Sequence, residues 1–183
     1  MSISINGNGI TSANIADGAI TNADINSSAA IDGTKISGSF GKVLQVIYAP
    51  SSTGTSTTSS TFVNSSITGI ITPSSTSNKI LISASIVCQS NALNSWNGDL
   101  IGLMLAADGV DKFDPDPAAR FGMRYTSQGD SNSNMLLSFN YLHSPATTSA
   151  VTYLIKLRTR GGQTVSVNSN SGVSSLTMME IGA

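Results

Sequence analysis

Residues 151–159 read VTYLIKLRT. Val151, Tyr153, Ile155 and Leu157 fall on one face of an extended chain, while Lys156 and Arg158 fall on the other. Successive side chains of a strand point to opposite sides, so this alternation predicts a half-buried β-strand. The same reading extends outward in both directions. KVLQVIYA (42–49), TFVNSSITGII (61–71), KILISASIVC (79–88), RFGMRY (120–125), MLLSFNYL (135–142), QTVSVNS (163–169) and SLTMMEI (175–181) are apolar or alternating runs bounded by polar, Gly- or Pro-containing turns. LIGLMLA (100–106) is continuously apolar, which predicts a strand covered on both faces. ADGV (107–110) is a tight-turn candidate, and PSSTGTSTTSS (50–60) is polar enough to be expected as an exposed loop. A series of short strands at this spacing predicts an all-β, antiparallel β-sandwich, most simply a jelly roll, over residues 42–183. A sandwich buries one face of each strand. The second apolar face of 100–106 and of 135–142 is therefore expected to meet another subunit.

Composition points the same way. Ser and Thr together supply 50 of the 183 residues, and Glu occurs once, at Glu180. A chain so poor in helix-favouring Glu and Lys is not predicted to be mostly helical. Charged residues make up 10% of the chain and the formal net charge is -1, so no nucleic-acid partner is expected: phosphate recognition draws on clustered Lys and Arg. One cysteine, Cys88, excludes an intramolecular disulfide, and one histidine, His143, excludes a multi-residue His/Cys zinc site. No uninterrupted apolar run reaches the roughly 20 residues of a membrane-spanning helix, so no membrane insertion is expected. Met1 is not followed by a basic region and an apolar core, and no signal peptide is expected.

Residues 1–41 differ from the rest. Ile10, Ile15, Ile20, Ile25, Ile31 and Ile36 recur in steps of five, five, five, six and five, separated by Ala, Asn, Asp, Ser, Thr and Gly. A helical stripe would recur at three and four and a flat strand at two. Five suits a chain that turns after each short extended piece, and Asp17-Gly18 and Asp32-Gly33 supply turns. A single isoleucine per turn cannot build a core alone, and so short a run cannot stack into a solenoid. The expectation is an extended repeat-containing arm or stalk in which several chains share the isoleucine row.

The search for chemistry yields little. His143 lies in YLHSP and reads as structural, and no GxSxG elbow occurs. Asp108, Asp111, Asp114 and Asp116 form one acidic run, in ADGVDKFDPDP. Its spacing is not that of an EF-hand, and Lys112 interrupts it, so a solvated loop is favoured over a calcium site. Asp111, Asp114 and Asp116, together with Trp96 in NALNSWNGDL, are the candidate exposed contact residues. Glu180, between Met179 and Ile181, is expected to pair with Lys156, Arg158 or Arg160. Cys88 reads as a small buried hydrophobe. No catalytic residue, metal ligand or cofactor is expected.

The segment ITSANIADGAITNADINSSAAIDGTKI resembles repeats in fibre and structural proteins of tailed bacteriophages. The blocks GKVLQVIYA, ITPSSTSNKILISASI, YLHSPATTSAVTYLIKLRT and SLTMMEIGA are similar to the β-rich domain that often follows such repeats. Together the two resemblances span nearly the whole chain. They imply a homotrimer on the virion surface, with a head broadly like those of tumour-necrosis-factor and C1q proteins, partnered by other virion proteins of capsid or tail. The chain departs from long tail fibres in having little shaft, which favours a short fibre, head fibre or capsid decoration protein. The alternative is a receptor- or carbohydrate-binding tip that engages a host surface glycan, although aromatic residues are only 5% and Trp96 is the sole Trp. A depolymerase would need an acid pair or metal site, and the sequence offers neither.

Overall fold

The computed structural model describes residues 16, 19–21, 24–25, 42–90, 101–115, 133–160 and 162–183. The chain divides into two units, Met1–Ser39 and Phe40–Ala183. In the first, the backbone N–H and Oγ1 of Thr21 donate to the Asp24 carboxylate at 2.8 and 2.7 Å, and Asp24 N–H donates to Thr21 O at 3.0 Å. Those bonds hold the exposed Asp24 carboxyl below its usual range. Ile20 and Ile25 are exposed beside this turn.

The described residues of the second unit form ten strands: β1 (Val43–Ser51), β2 (Thr55–Thr57), β3 (Val63–Ile71), β4 (Lys79–Ser90), β5 (Ile101–Ala107), β6 (Val110–Phe113), β7 (Ser133–His143), β8 (Val151–Thr159), β9 (Val165–Val167) and β10 (Ser174–Ile181). They form two antiparallel sheets. Sheet A runs β1-β10-β4-β9-β2 with β7 on the other edge of β4, and sheet B runs β3-β8-β5-β6. Because β7 follows β4 from Ile80 to Ser90, β10 and β9 share the opposite edge, along 79–85 and 88–90. Leaving aside the three-residue β2 and β9, the pairs β1/β10, β3/β8, β4/β7 and β5/β6 are nested from the outermost strands to the innermost. That is the connectivity of a long antiparallel hairpin rolled into a jelly roll. The all-β sandwich expected from the alternation is present, and β8 has the predicted limits.

Alternation places the core. Val151, Tyr153, Ile155 and Leu157 of β8 point inward with Ile101, Leu103 and Leu105 of β5 and Ile67 and Ile71 of β3. Ile80, Ile82 and Ile86 of β4 and Leu176 and Met178 of β10 meet them from sheet A. The hairpin between β5 and β6 turns at Asp108 and Gly109, with φ of 49° and 79°. Asp108 tolerates this left-handed conformation because its carboxylate accepts the Thr152 N–H at 2.8 Å.

Three expectations need correction. Residues 50–60 are not wholly loop: Pro50 and Ser51 extend β1, and Thr55–Thr57 pair with Val165–Val167. Hydroxyl-rich residues form this strand because its bonds are backbone bonds, and Thr55 Oγ1 also accepts the Ser66 N–H at 3.0 Å. The outward face of β5 does not await a subunit. Gly102 and Ala106 are buried within the chain, small residues standing opposite Arg158 and Leu154 of β8. Glu180 has partners quite different from those expected, as described below. The expected strand at 120–125 lies outside the described residues.

Candidate assembly interface

The direction of the strands sorts the loops into two poles. Lys42, the β3–β4 loop (72–78), the 108–109 turn, the β7–β8 loop (144–150) and the C-terminal residues 182–183 lie at one end of the sandwich. Residues 52–62, 160, 162–164 and 168–173 lie at the other.

Glu180 organises the first pole. It is fully buried, and its two carboxylate oxygens accept four hydrogen bonds. Oε1 takes the Ser74 N–H at 2.6 Å, the Ser74 hydroxyl at 2.8 Å and Asn78 Nδ2 at 2.6 Å. Oε2 takes Gln45 Nε2 at 2.6 Å, which also donates to Thr72 O at 2.7 Å. Burial alone would raise the carboxyl pKa, but the donors from Asn78, Gln45 and Ser74 outweigh it and hold it at about 2. The expected Lys or Arg partner is replaced by neutral donors, since Lys156 and Arg158 project from the outer face of sheet B. The cluster also fastens the chain terminus: Asn78 Oδ1 accepts the Ala183 N–H at 3.2 Å, and Lys42 O accepts the Gly182 N–H at 2.9 Å.

The other side chains marked in the sequence are also held in the fold. Asp111 bonds Lys156 Nζ at 2.5 Å, and Arg158 lies 4.0 Å from Asp114 and 4.5 Å from the Phe62 ring centroid. Asp108, Asp111 and Asp114 thus reach residues 152, 156 and 158 of β8 in turn. Cys88 is buried, and burial pushes its thiol up to about 12. Trp96, Asp116, Ile10, Ile15, Ile31 and Ile36 lie outside the described residues.

His143 closes a row of rings between the sheets. Phe113 packs on Phe139 and Tyr141 at 5.6 and 5.2 Å, and His143 meets Tyr141 at 6.2 Å and Tyr153 edge-on at 5.7 Å. His143 Nδ1 lies 2.8 Å from the hydroxyl of the fully buried Tyr153. Burial lowers the imidazole pKa, Lys112 lowers it further and Asp108 opposes them. Since the folded pKa is depressed, the neutral ring's contribution is complete above the unfolded value of about 6.5 and declines as pH falls below it. The melting temperature should therefore drop from pH 7 toward pH 5, and this part of the slope should vanish in His143→Gln. An unchanged slope in that variant would remove His143 as its source.

The two outward faces differ sharply. Sheet B presents Lys156, Arg158 and Asp111, already paired or stacked, together with the exposed Ile70 of β3. Sheet A presents Leu44, Val46 and Tyr48 of β1, Leu81 of β4, Leu136 and Leu142 of β7, and Met179 and Ile181 of β10. Val46 is 56% exposed, Tyr48 64%, Leu136 65% and Leu142 50%, values high for large apolar side chains sharing one sheet face. Lys79 is the one charged residue among the described residues of that face. The second apolar face expected for 135–142 is thus uncovered in the single chain.

No family model matches the chain, and no curated protein matches it. Among solved structures it is similar to a chain of T=1 particles derived from infectious bursal virus, at 11% identity and a TM-score of 0.44, over 84% of this chain and 41% of that one. It is also similar to the VP2 subviral particle of infectious bursal disease virus, at 11% identity and a TM-score of 0.42, over 75% of this chain and 39% of that one. The Gx strain of the same virus gives 13% identity and a TM-score of 0.38, over 75% and 38%. The chain spans about two fifths of the length of these structures.

Proposed function

We propose that this is a non-enzymatic structural protein of the virion surface of a tailed bacteriophage: a homotrimer tied together and anchored by residues 1–41, with residues 42–183 as the exposed head. The observation that carries this reading is the contrast between the two outward faces. One carries its own ion pairs beside a single strongly exposed aliphatic residue of β3, Ile70, and the other leaves Val46, Tyr48, Leu136 and Leu142 in water in a lone subunit. Burying such a face between subunits stabilises an assembly by about 25 cal/mol for each Å² removed from water. Glu180, Asp111, His143 and Cys88, groups that could serve chemistry, are instead engaged in holding the fold. The resemblance of the arm to phage fibre repeats supplies the setting, a short fibre, head fibre or decoration protein mounted on capsid or tail.

The test is incorporation. Chains lacking residues 1–41 should fold but be missing from purified virions, at least tenfold below the full chain by quantitative mass spectrometry. Normal incorporation of the truncated chain would overturn the division into anchor and head. A glycan array read with the full chain would show specific binding to a host surface glycan if the head also serves attachment.

A further inference from the structure

We infer that the β1–β10 pair is a force-bearing clamp, which resists tension entering the head through the chain that precedes Lys42 and yields to tension that parts the two chain ends. The inference rests on the anchor-and-head reading above and adds how the head holds on to its anchor.

Strand direction decides what a pull meets. β1 begins at Val43, directly after the chain enters the head, and pairs antiparallel with β10 at eight positions, from Val43 with Ile181 to Ser51 with Ser174. Hydrogen bonds between antiparallel strands lie across the strand axis. A pull on Lys42 along that axis, resisted at the far end of the sandwich, therefore loads the whole ladder at once. A pull that separates Lys42 from Ala183 meets the same ladder end-on. Both chain ends lie at one pole, where Lys42 O accepts the Gly182 N–H at 2.9 Å, so the pairs open one after another from that bond inward.

Side chains add to the first resistance. β1 is an edge strand with β10 as its sheet neighbour, a position that would ordinarily make it the weak member. It is instead fastened to the other layer near both its ends. Gln45 Nε2 donates to Glu180 Oε2 at 2.6 Å and to Thr72 O, just past β3, at 2.7 Å. Ser51 Oγ donates to Ser66 O of β3 at 3.3 Å. Between them, Ile47 and Ala49 pack against the core. Leu44 is the extra residue at the register irregularity between Val43 and Gln45, and its side chain leans on Gly182, the donor of the Lys42 bond. Tension along β1 meets all of these together. Peeling meets the Lys42 bond first, Gln45 next and Ser51 last, so few bonds carry the load at any moment. Forced unfolding is set by the barrier along the pulled direction and not by equilibrium stability, so one fold can be strong one way and weak the other.

The experiment is single-molecule pulling on the full chain in an optical trap, with handles on introduced cysteines. One variant carries Lys42→Cys and Arg160→Cys, the latter at the far end of the sandwich, and the other carries Lys42→Cys and Ala183→Cys. All three positions are exposed. Cys88 is buried, with its thiol pushed up to about 12, and stays unlabelled. Each variant is co-expressed with an excess of wild-type chain, so that any assembly carries a single pair of handles. The inference expects the 42–160 pair to rupture at a force roughly threefold or more above the 42–183 pair at one loading rate, with melting temperatures alike in the two variants. Equal forces, or a stronger 42–183 pair, would overturn the clamp and leave the anchor-and-head reading to its own incorporation test. Failure of that incorporation test with the force contrast intact would remove the anchor and not the clamp.

Discussion

Replacing Glu180 with glutamine should lower the free energy of unfolding by about 3 kcal/mol at pH 7, because buried donors lose a charged acceptor and one is left facing another donor. The oxygen of the new amide can keep Ser74 and Asn78, which share Oε1. Its NH2 then faces Gln45 Nε2, and turning the Gln45 amide to accept would sacrifice the bond to Thr72 O. pH gives an independent signature. The carboxyl is held at about 2, below the roughly 4.3 of an unfolded chain. For a depressed acid, the contribution is complete above the unfolded value and is lost as pH falls toward the folded one. Denaturant unfolding of wild type and Glu180→Gln should differ most above pH 5 and converge toward pH 2. Equal stability at pH 7 would show that the four bonds contribute nothing net.

Gly69→Val should cost about 2–3 kcal/mol and lower the melting temperature by roughly 5–10 °C, the range for overpacking a domain of this size. A Cβ at Gly69 would stand 2.5 Å from Met178 Cε and 3.0 Å from Ala49 Cβ. Met178 is a flexible side chain but is fully buried in the core, and Ala49 cannot turn away. This glycine is required for space, where sheet B crosses closely over β1 and β10. Gly109 is the contrasting case: nothing lies within 4 Å of its would-be Cβ, and its φ of 79° is what favours glycine there. A Gly69→Val melting curve that overlays the wild type would mean that the sheets part at that point without cost.

The legible part of the fold was the part written in alternation. Val151 to Leu157 announced β8 because every second residue is large, apolar and inward. Thr55–Thr57 carried no such signal, since a three-residue strand of hydroxyl side chains is defined by the backbone of a partner that lies more than a hundred residues later. Glu180 escaped for a related reason. Its donors lie 135, 106 and 102 residues away, and only the pairing of the last strand with both β1 and β4 brings them together. The acidic run was visible as a cluster, but its purpose depends on β5 lying between β6 and β8, so that the acids reach across it. The apolar second face of residues 135–142 was readable. Its continuation through Leu81 and Met179 to Val46 was not, because it is a property of register across four strands.

The two ends of the sandwich have an engineering consequence. The chain enters at Lys42 and finishes at Ala183 on the same side, stitched by Gly182 to Lys42 and by Ala183 to Asn78. Residues fused after Ala183 would pull on the stitch. A peptide grafted at Gly162, whose surroundings are open and whose φ is 81°, would stand at the opposite end of the sandwich, clear of it. Foreign sequence is therefore better tolerated in that far-end loop than beside the Lys42–Gly182 and Asn78–Ala183 bonds.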